Sequence, residues 1–523
     1  PSTPSKVWLM GSGALMLGAV VMASVWAWTH HQGGNHPLTT RAVKATPSTP
    51  APPPASASLA SKNVTSSPGT AASSASGGLP DTATSTLPVS DASTVLLNAW
   101  PSQDEARRTL ARQWSQGASL ADDGAPCPRA RALGLWCALL PGAMAQDACS
   151  AAAAWPLWEQ FTQRFMQDDG RVIDYTTAQQ HSTSEGQSYA MFFALVARDR
   201  ARFDKLWAWS ITNLAGGDIG ARLPAWQWGR KADGSWGVVD ANPASDANLW
   251  FAYALAEAGR LWHEPRYTAQ ARTLLAQVAV QEVADLPGLG PTLLPASKGF
   301  ALRGPDSRTW RLNPSYLPVP LLRAFEKIDP QGPWKAVGTS FQRVLEGTTP
   351  KGFAADWVAY QVPEGATRGA FVADSEKGDI GSYDAIRTYL WAGMTPRNDA
   401  LAPVLRRRLG GMAAALRTAA VPPEKVQTVT GQTDGQGPAG FSAALLPYLR
   451  TLGAAAALKA QQERVRTQLL EAPPGGQPPY YDQVLGLFGT GWMDQRYQFL
   501  PSGRLQLRWE KACPQRSATT KTP

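Results

Sequence analysis

From residue 150 onward, apolar side chains recur at helical spacing, and stretches 155–166, 187–198, 247–262, 267–283 and 385–393 each predict a helix. Segments rich in Gly, Pro, Asn and Asp separate them, among them Ala232-Asp233-Gly234 and Leu286-Pro287-Gly288, which read as turns. Convincing alternating strands are scarce. The pattern predicts an all-α domain with long connecting loops. Upstream it changes character. Residues 7–28 are largely apolar and uncharged, long enough to span a bilayer as a helix, with Lys6 before them and Trp26 and Trp28 at the far boundary. A retained anchor fits this length better than a signal peptide cut near Val25-Trp26-Ala27, and either predicts export. Residues 37–97 are dominated by Ser, Thr, Ala and Pro, too poor in apolar surface to fold, and predict a disordered linker. Residues 98–147 predict a short helical preface, 148–513 the main domain and 514–523 a disordered tail.

Composition narrows the chemistry. The net charge of +9 is dispersed, with no Lys/Arg block or recognition motif, so nucleic acid is not an expected partner. Of five histidines, only His181 and His263 lie in the predicted domain, too few for a three-histidine zinc site. No His-Glu-x-x-His or Cys-x-x-Cys is present, so no metal or cofactor is expected, and no Gly-x-Ser-x-Gly elbow supports a Ser-His-Asp triad, which leaves carboxylates as the available acid/base groups. Four cysteines fit an oxidising compartment. Of the three pairings, Cys149–Cys513 with Cys127–Cys137 is favoured, because the first would tie the ends of one compact unit together.

Three acids open predicted helices: Glu185, Asp246 and Asp384. Each alone reads as a cap, and Ser182-x-x-Glu185 and Ser184-x-x-Gln187 both match a capping box. Together they suggest helix mouths converging on one cleft, where one carboxyl stays protonated and another ionised. Glycosidic cleavage needs such a pair. Trp226, Trp228 and Trp236, expected on loops, would supply aromatic faces for sugar rings, whereas Trp207, Trp209 and Trp250 read as core.

Four segments sharpen this: Thr-Ser-Glu-Gly-Gln-Ser-Tyr-Ala-Met (183–191), Asn-Pro-Ala-Ser-Asp-Ala-Asn-Leu-Trp (242–250), Arg-Leu-Asn-Pro-Ser-Tyr-Leu-Pro (311–318) and Ser-Tyr-Asp-Ala-Ile-Arg (382–387). With them, the chain over about 148–513 resembles glycoside hydrolase family 8, and within it the periplasmic endoglucanases of bacterial cellulose synthase operons. The resemblance implies an (α/α)6 barrel and inverting hydrolysis of β-1,4-glucan. Glu185 would be the general acid and Asp384 the base that activates water. Asp246, Tyr316 and Arg387 would hold the sugar at the cleavage point, with Trp226 and Trp228 also contacting substrate. An inverting pair should stand roughly 6.5–9.5 Å apart. One departure is visible: where the family's helix often reads Asp-x-Asp, the second position here is Asn248. The implied partner is a cellulose chain, with the cellulose synthase complex behind it. The implied location is periplasmic or secreted, with inner-membrane contact through residues 7–28 if they are retained. Two alternatives stay open: a non-catalytic glucan-binding scaffold, and a family 8 enzyme acting on chitosan, xylan or mixed-linkage glucan.

Overall fold

Helices that are apolar on every side have no solvent face to present and must be surrounded by protein. Six helices buried over most of their length form an inner ring in the computed structural model, which describes residue 149, residues 153–472 and residues 478–513. They are α2 (Ser184–Val196), α4 (Ser245–Trp262), α6 (Val319–Ile328), α8 (Ala385–Met394), α11 (Ala439–Leu452) and α13 (Tyr480–Met493). One of them, α6, keeps a polar face of Arg323, Glu326 and Lys327. Packed outside them are α1 (Pro156–Phe165), α3 (Arg200–Asn213), α5 (Pro265–Gln281), α7 (Trp334–Thr348), the pair α9 (Ala402–Arg408) and α10 (Gly410–Ala415), and α12 (Ala455–Val465). A short α14 (Arg508–Ala512) ends the described chain. The predicted helices are all present, with ends shifted by no more than about three residues, within the usual spread of helix boundaries.

The ring closes through aromatic contacts. Phe193 of α2 meets Phe488 of α13 edge to face at 4.6 Å, and Phe488 also meets Trp391 of α8 at 5.1 Å. Trp250 of α4 lies 5.3 Å from Trp391. Trp207, Trp209 and Trp250 are buried, as expected of core residues. Two glycines let inner helices touch backbone to backbone. A Cβ at Gly393 would collide with Pro447 and Tyr448 of α11, and one at Gly489 with Ala443.

The connecting segments are more ordered than the pattern suggested. Fourteen short strands among the described residues form five antiparallel sheets. Strands β1 (Ser182–Thr183), β2 (Ala225–Arg230) and β3 (Trp236–Pro243) make one sheet, with the Ala232-Asp233-Gly234 turn at the tip of its hairpin. A second hairpin, β4 (Val283–Leu286) and β5 (Gly290–Leu293), turns at Pro287-Gly288. The largest sheet runs β6 (Ala301–Arg303), β7 (Ser307–Leu312), β8 (Val358–Pro363) and β9 (Ala370–Ala373). Next come β10 (Ile380–Gly381), β11 (Lys425–Gln427) and β12 (Thr433–Asp434), and lastly β13 (Tyr497–Phe499) with β14 (Leu505–Leu507). Strands β1, β3 and β10 lead directly into α2, α4 and α8, so sheet structure frames the N-terminal mouths of the inner helices. Trp226, Trp228 and Trp236 therefore sit on strands of a hairpin, not on loops.

Cys149 and Cys513 form a disulfide across a sequence separation of 364 residues, the favoured pairing. The segments expected as anchor (7–28), linker (37–97) and preface (98–147, with Cys127 and Cys137) lie outside the described residues, as does the tail after 513. Among the described residues, no helix is long and apolar enough to cross a membrane.

Candidate active site

Every residue of α2 is buried except Glu185, the second residue of the helix. A helix mouth leaves several backbone N–H groups seeking acceptors, and an acid placed there ordinarily takes one. Glu185 does not. The cap of α2 is Thr183, whose hydroxyl accepts from Gly186 N at 3.1 Å. Neither capping box read from the sequence forms. Ser182 Oγ accepts instead from Arg171 Nε (2.8 Å), and Gln187 reaches back to accept from Val172 N at 2.6 Å. With capping done by Thr183, the Glu185 carboxyl is left to the cleft, where Ser184 Oγ donates to it at 3.2 Å. Burial, reinforced by the negative charge of Asp246, pushes its pKa up to about 8.

Asp246 is buried in the first turn of α4. Its Oδ1 accepts from Ala247 N at 2.8 Å, so it does part of a cap's work, while Oδ2 accepts from Tyr189 Oη at 3.3 Å. Burial raises its pKa to about 6, opposed by the Arg387 guanidinium 3.8 Å away. Tyr189 packs edge to face on Phe488, tying this acid to the barrel's aromatic centre.

Asp384 stands at the N-cap of α8 and makes no capping hydrogen bond with its side chain. Oδ1 instead accepts from Arg387 Nη2 at 3.0 Å, and Oδ2 from Trp357 Nε1 at 3.1 Å. Arg387, one turn along, is buried. It also donates to Ser315 Oγ (3.0 Å) and lies 5.8 Å from the centroid of the Tyr316 ring. Tyr316 ends the 3-10 turn Pro314–Tyr316 and meets Trp357 edge to face at 6.4 Å. Arg387 thus bridges Asp246 and Asp384, and the charge of Asp246 acts on Glu185 as well. The structure brings Glu185, Asp246, Asp384, Tyr316 and Arg387 into one electrostatically coupled group.

The tryptophans divide. Trp228 is enclosed by Trp209 (edge to face, 5.4 Å), by Trp236 (parallel, 5.5 Å) and by the Arg171 guanidinium 4.4 Å from its ring. It is largely a structural wedge. Trp226, also on the less buried side of β2, keeps part of its surface open. Its strand is held against the segment leading to Glu185, with Thr183 opposite Gln227 and Ser182 opposite Trp228. Trp236 is 47% exposed at the sheet's outer end.

Some residues of the site were not read from the sequence. Trp357, Asp356, Ser315, Tyr189 and Tyr481 all touch the group, and Trp357 stacks on Phe300 at 5.6 Å. An Asp-Trp pair opening an apolar strand was the available signal for two of them. The departure at Asn248 also gains an explanation. Its amide donates to both oxygens of the buried Glu282 carboxyl (3.1 Å each), and burial raises the Glu282 pKa to about 8.

Residues 133–495 match the family described as glycosyl hydrolases family 8. An endoglucanase of Xanthomonas axonopodis pv. citri is 48% identical over 383 residues, 73% of this chain and 96% of its own length. An endoglucanase of Escherichia coli K12 is 44% identical over 370 residues, 71% of this chain and 95% of its own. Among solved structures, an endo-1,4-D-glucanase of Vibrio fischeri is 38% identical and superposes with a TM-score of 0.62, covering 68% of this chain and 99% of its own. The endo-beta-1,4-glucanase CMCax of Acetobacter xylinum, 26% identical, gives 0.52 over 65% of this chain and 97% of its own.

Proposed function

We propose a division of labour among three carboxyl groups, on the premise that the chain belongs to glycosyl hydrolase family 8 and is an endo-β-1,4-glucanase with that family's (α/α)6-type helical fold. Glu185 is the proton donor to the departing glycosidic oxygen, and Asp384 deprotonates a water on the opposite face of the ring. The bond breaks in one displacement, with inversion at the anomeric carbon. Asp246, Tyr316 and Arg387 hold the sugar at the cleavage point, and Trp226 offers an open aromatic face to a neighbouring ring, with Trp228 behind it.

The observation that carries this reading is the contrast between the two outer acids. Glu185 is pushed up to about 8 by burial and by Asp246, so it holds a proton at neutral pH, as a general acid must. Asp384 is ion-paired to Arg387 and accepts from Trp357, surroundings that suit a carboxylate acceptor. Neither spends its side chain on capping its helix. Glu185→Gln and Asp384→Asn should each abolish release of reducing ends from carboxymethylcellulose while the protein stays folded. Wild-type-like activity in either variant overturns the assignment.

The setting proposed for this activity is the periplasm or cell exterior, where the enzyme trims nascent cellulose beside a cellulose synthase complex. The apolar segment 7–28, the polar tract after it and the Cys149–Cys513 bridge support export, since structural disulfides belong to oxidising compartments.

A further inference from the structure

The first turn of α8 presents free backbone N–H groups, and the side chain of its own N-cap residue, Asp384, accepts from none of them. The acceptor comes from 28 residues upstream. Asp356 Oδ1 receives the N–H groups of Ser382 (2.8 Å), Asp384 (3.1 Å) and Ala385 (2.7 Å). Its neighbour Trp357 donates to the Asp384 side chain. One dipeptide thus grips Asp384 twice, Asp356 by the backbone and Trp357 by the carboxylate. The dipeptide is itself fixed. Asp356 N donates to Ile380 O at 2.8 Å, and the Trp357 ring stacks on Phe300. The Arg311 guanidinium lies 5.1 Å from the Trp357 ring and is locked by two hydrogen bonds to the buried Asp374 carboxylate.

We propose that Asp356 is a positioning residue for hydrolysis: by capping α8 in place of Asp384, it frees the Asp384 carboxylate and fixes where that carboxylate stands. This rests on the reading of Asp384 as the base. The arrangement is costly for Asp356, a buried carboxyl beside another acid, and its pKa is raised to about 7 by burial and by the charge of Asp384. A merely structural cap at a helix mouth could come from a neutral Ser, Thr or Asn on the chain just before the helix. That position is taken by Asp384 itself, so the acceptor has to come from elsewhere.

The test compares Asp356→Ala and Asp356→Asn with wild type and with Asp384→Asn, measuring kcat and KM on a soluble β-1,4-glucan and folding by circular dichroism. Asp356→Ala releases the first turn of α8. A misplacement on the order of 1 Å at a reacting group costs about 10²-fold, so kcat should fall by about that factor while KM stays within about threefold. Asp356→Asn keeps an acceptor oxygen for the same N–H groups and should hold kcat within about tenfold of wild type. A folded Asp356→Ala protein with wild-type kcat, or with its loss in KM, overturns the proposal. So does a folded Asp356→Asn protein that loses as much as Asp384→Asn, since the carboxyl would then be reacting and not holding. If Asp356→Ala does not fold, Asp356→Asn alone decides. An active Asp384→Asn protein would instead overturn the underlying reading of the base.

Discussion

Replacing Glu185 by Gln should stabilise the protein, and by more as the pH rises. In the unfolded chain the carboxyl titrates near 4.5, whereas burial and Asp246 lift it to about 8 in the fold. Between these values the unfolded state binds fewer protons than the native state, so this group's contribution falls as pH rises and levels off above about 8. Each pH unit inside that window removes about 1.4 kcal/mol. Between pH 5 and pH 7.5 the accumulated loss is about 3 kcal/mol, an upper figure because the carboxyl keeps a window on the cleft. Glutamine has the same shape and cannot ionise, so the variant escapes this loss, and titrating groups remote from Glu185 act equally in both proteins. Equilibrium urea unfolding of wild type and Glu185→Gln at pH 5 and 7.5 reads the effect directly. The stability gap in favour of the variant should widen by about 2–3 kcal/mol across that interval. A gap that stays constant, or shrinks, would mean that Glu185 is ionised at neutral pH, and the proton-donor argument would fail with it.

Other consequences follow from the same geometry. Hydrolytic activity should decline as pH rises through about 8, where Glu185 gives up its proton, and a pH–rate profile flat to pH 10 would contradict the assignment. Trp228→Ala removes a ring packed by Trp209, Trp236 and Arg171 and should lower stability by about 3 kcal/mol. Trp226→Ala should instead raise KM for soluble glucan several-fold, with little change in Tm; the opposite split would exchange their roles. Asn248→Asp sets a second carboxyl against Glu282 and should cost about 1–3 kcal/mol at pH 8 and less at pH 5, where both acids can be protonated. Equal cost at the two pH values, read by thermal unfolding, would show that the two groups do not share charge.

The sequence made some parts of this molecule legible and hid others for physical reasons. Outer and early helices such as α1, α4 and α5 carry enough periodicity to be found. The inner helices α11 and α13 do not. They are buried on nearly all sides, so no polar face marks a period, and Pro447 in one and Gly486, Gly489 and Gly491 in the other read as breakers. Strands of two to six residues, such as β1 and β10, pair across 40 residues or more and leave no local alternation to detect. Glu185, Asp246 and Asp384 were visible as helix-opening acids, but their spacing could not reveal whether they cap. That depended on Thr183 and Asp356, and Asp356 acts from a distant segment. The wedge around Trp228 likewise required Arg171, which the sequence places 57 residues away.

The central claim is that Glu185 and Asp384 work from opposite faces of the sugar in a single displacement. Proton NMR of a β-1,4-linked cello-oligosaccharide during its first minutes of hydrolysis, before mutarotation, tests it most directly. Newly formed reducing ends should appear first as the α-anomer and drift towards equilibrium afterwards. Initial appearance of the β-anomer would mean retention through a covalent intermediate, and the roles given to these two acids would have to be abandoned.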